Sequence, residues 1–255
     1  MYTIKNLTSP TGHIATETMG VFTVIEHAMD YSVSPAAAQT EYFMSQMNVK
    51  RRQVAANLDG SVGLVLQAGA MQWTVGDVHA TTGIKGVSDF LGKMVKGAVS
   101  KESAVKPEYV GCGLLVTEPT YRYLLLENAA DWSGGLVVED GMFLACESSV
   151  RHEIQARASF SSVMTGNEGL FNLKLTGSGA CVLESAVPRS EIVEVVLNDD
   201  VLKIDGHFAI CWSGSLNFTV ERSGKTLVGS AASGEGLVNV YRGSGRILLA
   251  SLASS

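Results

Sequence analysis

The stretch Glu235–Arg246, EGLVNVYRGSGR, restates an earlier one, Glu168–Ala180, EGLFNLKLTGSGA. Each has a Glu-Gly-Leu, a short apolar alternation and a Gly-Ser-Gly. A third version of the ending exists: GCGLLV starts at Gly111, against GSGACV from Gly177 and GSGRIL from Gly243. The three starts stand 66 residues apart, and a fixed period of this size marks a duplicated structural unit. At the same offset ESAVKPEYVGCG (Glu102–Gly113) lies over EGLFNLKLTGSG, bringing Glu102 over Glu168.

A second marker falls between these. DGMFLAC (Asp140–Cys146) matches DGHFAIC (Asp205–Cys211), and GLVLQAGAM (Gly63–Met71) matches GLVVEDGMF (Gly135–Phe143). Two sets of glycines follow, expected to serve structural turns: Gly69, Gly141 and Gly206 in the second marker, and Gly111, Gly113, Gly177, Gly179, Gly243 and Gly245 in the first. Gly113, Gly179 and Gly245 are expected to occupy equivalent bends at positive φ.

The local pattern is β. In SLNFTVE, Leu216, Phe218 and Val220 alternate with Asn217, Thr219 and Glu221, the period of two of a half-buried strand. EIVEVVLNDDVLKIDGHFAIC (Glu191–Cys211) reads as two strands around a turn at Asn198-Asp199-Asp200. One segment departs from this. Val87, Phe90, Leu91, Met94, Val95 and Val99 recur at helical spacing and predict a short helix over 87–99. The fold expected is therefore all-β: three tandem β repeats with one short helix, packed as a single body. The divisions fall at 1–104 for the first repeat, with the helix, 105–170 for the second and 171–255 for the third.

Composition narrows the function classes. Charged residues make up 17% of the 255, against roughly a quarter in a typical soluble domain. Mean hydropathy is +0.19. Either the surface is unusually neutral or copies of the chain cover much of it, and the second reading is preferred. A net charge of −6 argues against a general nucleic-acid binder, which needs clustered Lys and Arg. The one dense cluster, Lys50-Arg51-Arg52, reads as a solvated strand face. No apolar run reaches the ~18 residues of a spanning helix, and the start lacks the pattern of a secretion signal. Peripheral attachment to a membrane stays open. Cys112, Cys146, Cys181 and Cys211 are widely spaced and read as reduced, mostly buried thiols of a cytoplasmic protein.

A search for chemistry yields little. SGKT (Ser223–Thr226) resembles the end of a phosphate-binding loop, but Thr219 stands where that pattern needs glycine. The histidines His13, His27, His79, His152 and His207 form no metal-ligand pair by spacing. No nucleophile elbow is present. Asp140, Asp199, Asp200 and Asp205 fit turns better than acid–base roles. Trp73, Trp132 and Trp212 read as core or interface anchors. No catalytic, cofactor or metal residue is assigned, and the protein is expected to be no enzyme.

GNEGLFNLKLTGSGACVLES, DDVLKIDGHFAIC and SGKTLVGSAASGEGLVNVYRGSGRILLAS together strongly resemble the altered-inheritance-of-mitochondria 24 family, named for a mitochondrial biogenesis factor. The resemblance runs over essentially the whole chain. It implies that each repeat is a short double-stranded β-helix sandwich shaped like the tryptophan RNA-binding attenuation protein, three fused in one chain, with three chains closing a ring. It supplies no catalytic residues. The function expected is a scaffold or assembly protein, a homotrimer engaging an unknown protein partner. The alternative is a small-molecule binding module with pockets between repeats.

Overall fold

Apolar runs become strands throughout the computed structural model, which describes residues 2–29, 31–81, 106–156, 171–222 and 237–252. An amino-terminal hairpin, β1 (His13–Met19) and β2 (Phe22–His27), leads into helix α1 (Ala38–Gln46). Then come β3 (Arg52–Asp59), β4 (Leu64–Leu66), β5 (Met71–Thr81), β6 (Glu108–Thr117), β7 (Tyr123–Asn128), β8 (Leu136–Val138), β9 (Phe143–Glu147) and β10 (Arg151–Ala156). The chain ends with β11 (Phe171–Thr176), β12 (Ala180–Ser185), β13 (Val193–Asp205), β14 (Ala209–Ser213), β15 (Asn217–Arg222) and β16 (Leu237–Leu249). These strands form two curled antiparallel sheets. One runs β1-β2-β3-β6-β4-β9-β12-β7 with β5 also on β6; the other runs β10-β11-β8-β14-β16-β13 with β15 also on β16.

One pairing arrangement recurs at three places. A strand carrying the Gly-x-Gly element, or two strands flanking it, is met by a partner that breaks in its middle. Strand β6 pairs with β3 through Cys112 to Val116 and with β4 through Glu108 and Tyr109. Strands β12 and β11 pair in the same way with β7 and β8. Strand β16 pairs with the two halves of β13 on either side of a bulge. The pairing of β6 with β3 and β4 runs across the division expected at 104.

The bulge corrects one local expectation. Asn198-Asp199-Asp200 does not turn the chain back. It interrupts the register of one 13-residue strand, with Asp199 at φ +51 and its N–H donating to Ser244 Oγ at 2.9 Å. An irregular residue is held inside a strand because the Gly-Ser-Gly opposite supplies the hydrogen-bond acceptor.

Three cores lie in series between and around the sheets. The first contains Phe22, Val54, Leu64, Leu115 and Val182; the middle one Val65, Phe143, Leu173, Leu183 and Leu248; the third Val137, Ile204, Trp212 and Tyr241. Adjacent residues of one strand serve different cores. In β12 Val182 faces the first and Leu183 the middle, while in β8 Val137 faces the third and Leu136 and Val138 the middle. Such walls are apolar on both faces, so they read as unbroken hydrophobic runs. Trp132 and Trp212 are buried core residues, and Trp73 packs beside a smaller cluster with Ile25 and Val116.

The hairpin is tied down by one carboxylate. Glu147 accepts from Val21 N–H at 3.0 Å and from Ala180 N–H at 2.9 Å, joining the β1–β2 turn to the start of β12. The α-helix within the described residues is α1; the segment expected to be helical, 87–99, lies outside them, as do SGKT, Glu168-Gly169-Leu170 and the first two residues of Glu235-Gly236-Leu237.

Candidate functional site

Strand β2 ends at His27, where the chain leaves the sheet, forms α1 and returns at Val49 to enter β3. Pro35 precedes the helix, where its fixed φ suits an entry. The exit closes on Asn48, at φ +61, with Val49 N–H donating to Met44 O at 2.9 Å, a left-handed stop that asparagine tolerates. Returning, Arg51 O accepts from His27 N–H at 2.9 Å. The helix therefore caps the open end of β2 and β3 without burying any of its own residues.

Between α1 and those strand ends is a cleft of about 520 Å³. Met29, Tyr31, Val33, Ala38, Tyr42 and Val49 give it apolar walls; Lys50, Arg51, Glu41 and His27 bring charge and polarity to its border. A second concavity of about 470 Å³ adjoins it, and His27, Met29, Tyr31 and Arg51 line both. Several apolar side chains here stay open to solvent: Tyr31 at 87%, Met47 at 77% and Tyr42 at 61%.

The basic triplet is not a solvated strand face. Arg52 is only 3% exposed. Its guanidinium meets Glu26 at 2.8 Å, donates to Lys50 O and Asn48 O at 3.0 and 3.1 Å, and lies 4.1 Å from the Tyr123 ring centre. A cation removed from water needs such compensation, and here it fastens the loop that returns from α1. Glu26 also holds Lys50, at 3.0 Å. Arg51 points the other way, with Nε donating to Tyr121 Oη at 3.0 Å, and Tyr121 in turn donating to Glu41 at 2.6 Å. Burial first, and then the hydrogen bond to Glu41, hold the Tyr121 phenol above its ordinary value.

Folding also brings two histidines together that spacing kept apart. His13 and His27 face each other across β1 and β2, their ring centres 4.7 Å apart and edge-to-face. His27 Nε2 is 2.7 Å from Gln53 Oε1, and His13 Nδ1 is 2.9 Å from Asn6 O. Among the described residues, no three His, Cys, Asp or Glu side chains converge as a metal site.

None of the nine turn glycines lines this cleft. Gly69, Gly141 and Gly206 have φ of +83, +78 and +80. Gly111, Gly177 and Gly243 have φ of +116, +103 and +112. Of their partners, Gly179 has φ +156, whereas Gly113 and Gly245 differ from expectation: they do not adopt positive φ, and the demand there is for space. A Cβ on Gly113 would overlap Val75 O, and one on Gly245 would stand 2.7 Å from Ser213 Cβ. The facing strands approach too closely for a side chain. Asp140 and Asp205 directly precede Gly141 and Gly206 at their turns.

Three thiols are buried, and burial pushes Cys146 up to about 12, Cys181 still further, and Cys211 well above the ordinary value; Cys112 is exposed. Sequence reasoning missed the cleft because its residues come from a segment without repeat markers. One signal was available: no glycine occurs between Gly20 and Gly60, and Ser34-Pro35 before three alanines is a helix start.

Comparison with known proteins agrees with the fold. The sequence profile described as Mitochondrial biogenesis AIM24 matches residues 45–252, leaving out the β1–β2 hairpin and most of α1. An uncharacterised protein of Streptococcus pyogenes serotype M6 is 25% identical over 206 residues, which cover 78% of this chain and 81% of that one. The crystal structure of a Streptococcus pyogenes protein superposes with a TM-score of 0.59 at 24% identity, covering 80% of this chain and 89% of the other. Among the described residues, no helix is long and apolar enough to cross a membrane.

Proposed function

Because the chain belongs to the mitochondrial biogenesis AIM24 family, we propose that it is a non-enzymatic assembly protein whose copies associate through strand edges into a homotrimeric ring that holds a partner protein in the cytoplasm. The observation that carries this reading is the outer edge of β13. Among the described residues this 13-residue strand pairs with β16 alone, and it exposes Val193, Val196 and Val201 at 47, 71 and 44%. A long edge with apolar side chains is a template for another strand, and closure into a ring removes such edges. Strand β5 offers a second edge of 11 residues, paired with β6 alone among the described residues.

Light scattering on the full chain tests this. A mass near three times 27.0 kDa is expected at micromolar concentration. A stable monomer would overturn it.

A further inference from the structure

We propose that the cleft between α1 and the ends of β2 and β3 binds one small amphipathic acid, an apolar body carrying a single carboxylate. The site lies outside the ring edges, and binding is read on whatever species the chain forms.

Three observations carry this. The volume, about 520 Å³, is that of a small-molecule site, and its walls are apolar and aromatic. Tyr31 and Tyr42 expose large ring surfaces at its mouth, which water covers at a cost that an apolar ligand removes. Charge completes the match. Among the described lining residues, Lys50 and Arg51 stand against the one carboxylate of Glu41. Glu26, just outside, is shared with Arg52, which faces it at 2.8 Å.

The cationic side is also held in place before any ligand arrives. Arg52 bonds the carbonyls of Asn48 and Lys50, so the loop bearing Lys50 and Arg51 is fixed from behind by a buried guanidinium. A site preordered in this way loses less freedom on binding. A guanidinium and an ammonium at the border of an apolar cleft select an anionic head with an apolar tail over a neutral molecule.

The probe is anilinonaphthalene sulfonate, followed by its fluorescence, with uncharged phenylnaphthylamine as the matched neutral compound. One saturable site per chain is expected, with the sulfonate bound more tightly than the neutral probe and displaced by decanoate. Lys50→Gln and Arg51→Gln should each weaken sulfonate binding about tenfold, the loss of one charge-assisted contact, and leave the neutral probe unchanged. Ala38→Trp should fill the cleft and abolish both. Circular dichroism melts establish that each variant is folded; should Ala38→Trp fail to fold, the two glutamine variants decide alone. Unsaturable binding, equal affinity for the two probes, or unchanged binding in both glutamine variants would overturn the proposal.

Discussion

At the scale of single residues, the Gly-x-Gly element asks two different things of its glycines. The first of each pair adopts a positive φ that costs other residues on the order of 1–3 kcal/mol. The second is required by close approach, and at Gly179, with φ +156, by the backbone as well. Surroundings then separate sites whose backbone is alike. A Cβ on Gly111 would collide with Asp77 O of β5, whereas at Gly243 the nearest atom, Ser215 O, stands 3.9 Å away. Gly243→Ala should therefore show the conformational cost alone, and Gly111→Ala should lose clearly more in chemical denaturation. Equal losses would show that β5 yields without cost. The cysteines give a second test. In the native protein Cys112 should react promptly with a thiol reagent near neutral pH. Cys146, Cys181 and Cys211 should react only on unfolding, since burial both shields them and raises them against forming thiolate. Prompt reaction of two or more thiols would contradict this.

At the scale of elements, the walls between cores explain much of the composition. Strands β4, β8 and β14 are buried at every position, and β9 and β12 nearly so. Such strands have no solvent face on which to carry charge. Part of the low charge content is thus internal, a cause that needs no partner copies. Leu183→Ala, fully buried in β12, should cost about 2–5 kcal/mol, measured by denaturant unfolding. The outer strands carry their charges in pairs. Between β15 and β16, Arg242 meets both oxygens of Glu221 at 2.6 and 2.9 Å. The Arg242 hydrogen bonds, with that from Thr219, lower the Glu221 carboxyl to about 2. A depressed carboxyl stabilises the fold above its ordinary value of 4.5, and that contribution is lost as pH falls through about 2. Both side chains are more than a third exposed, so salt should shrink the effect. Carbon-detected titration of Glu221 should find the low midpoint, and Arg242→Gln should return it toward 4.5. A midpoint unchanged by that substitution would refute the pairing.

At the scale of the whole molecule, the sheets leave long edges outside the cores they share. If β13 is the strand through which copies meet, Val196→Lys with Val201→Lys should lower the native mass while leaving the melting temperature of the separated chain nearly unchanged. Both side chains face solvent and support no core. Surface substitutions of that kind usually change stability by about half a kcal/mol or less. An unaltered native mass in the double variant would move the contact to another edge, with β5 the next to test.

The sequence by itself determined the β class, the recurrence of the Gly-x-Gly element and the burial of Trp132, Trp212 and three of the four cysteines. Those features are local: alternation of period two, a glycine where a Cβ has no room, and apolar runs where both faces are covered. Tertiary structure decided what depends on residues distant in sequence. Asn198-Asp199-Asp200 has the composition of a turn, yet Gly243–Gly245 across the ladder keeps it inside one strand. Arg52 reads as a surface cation, yet Glu26 and two carbonyls at the helix exit make its burial tolerable. His13 and His27 meet only because β1 and β2 pair in that register. The cleft beside α1 exists because a helix with no buried residue caps a sheet end, and Lys50, Arg51, Glu41 and Tyr121 converge there from three separate segments. No periodicity along the chain records such a meeting, because the contacts that form it are set by the register of the sheet and by where the helix returns the chain.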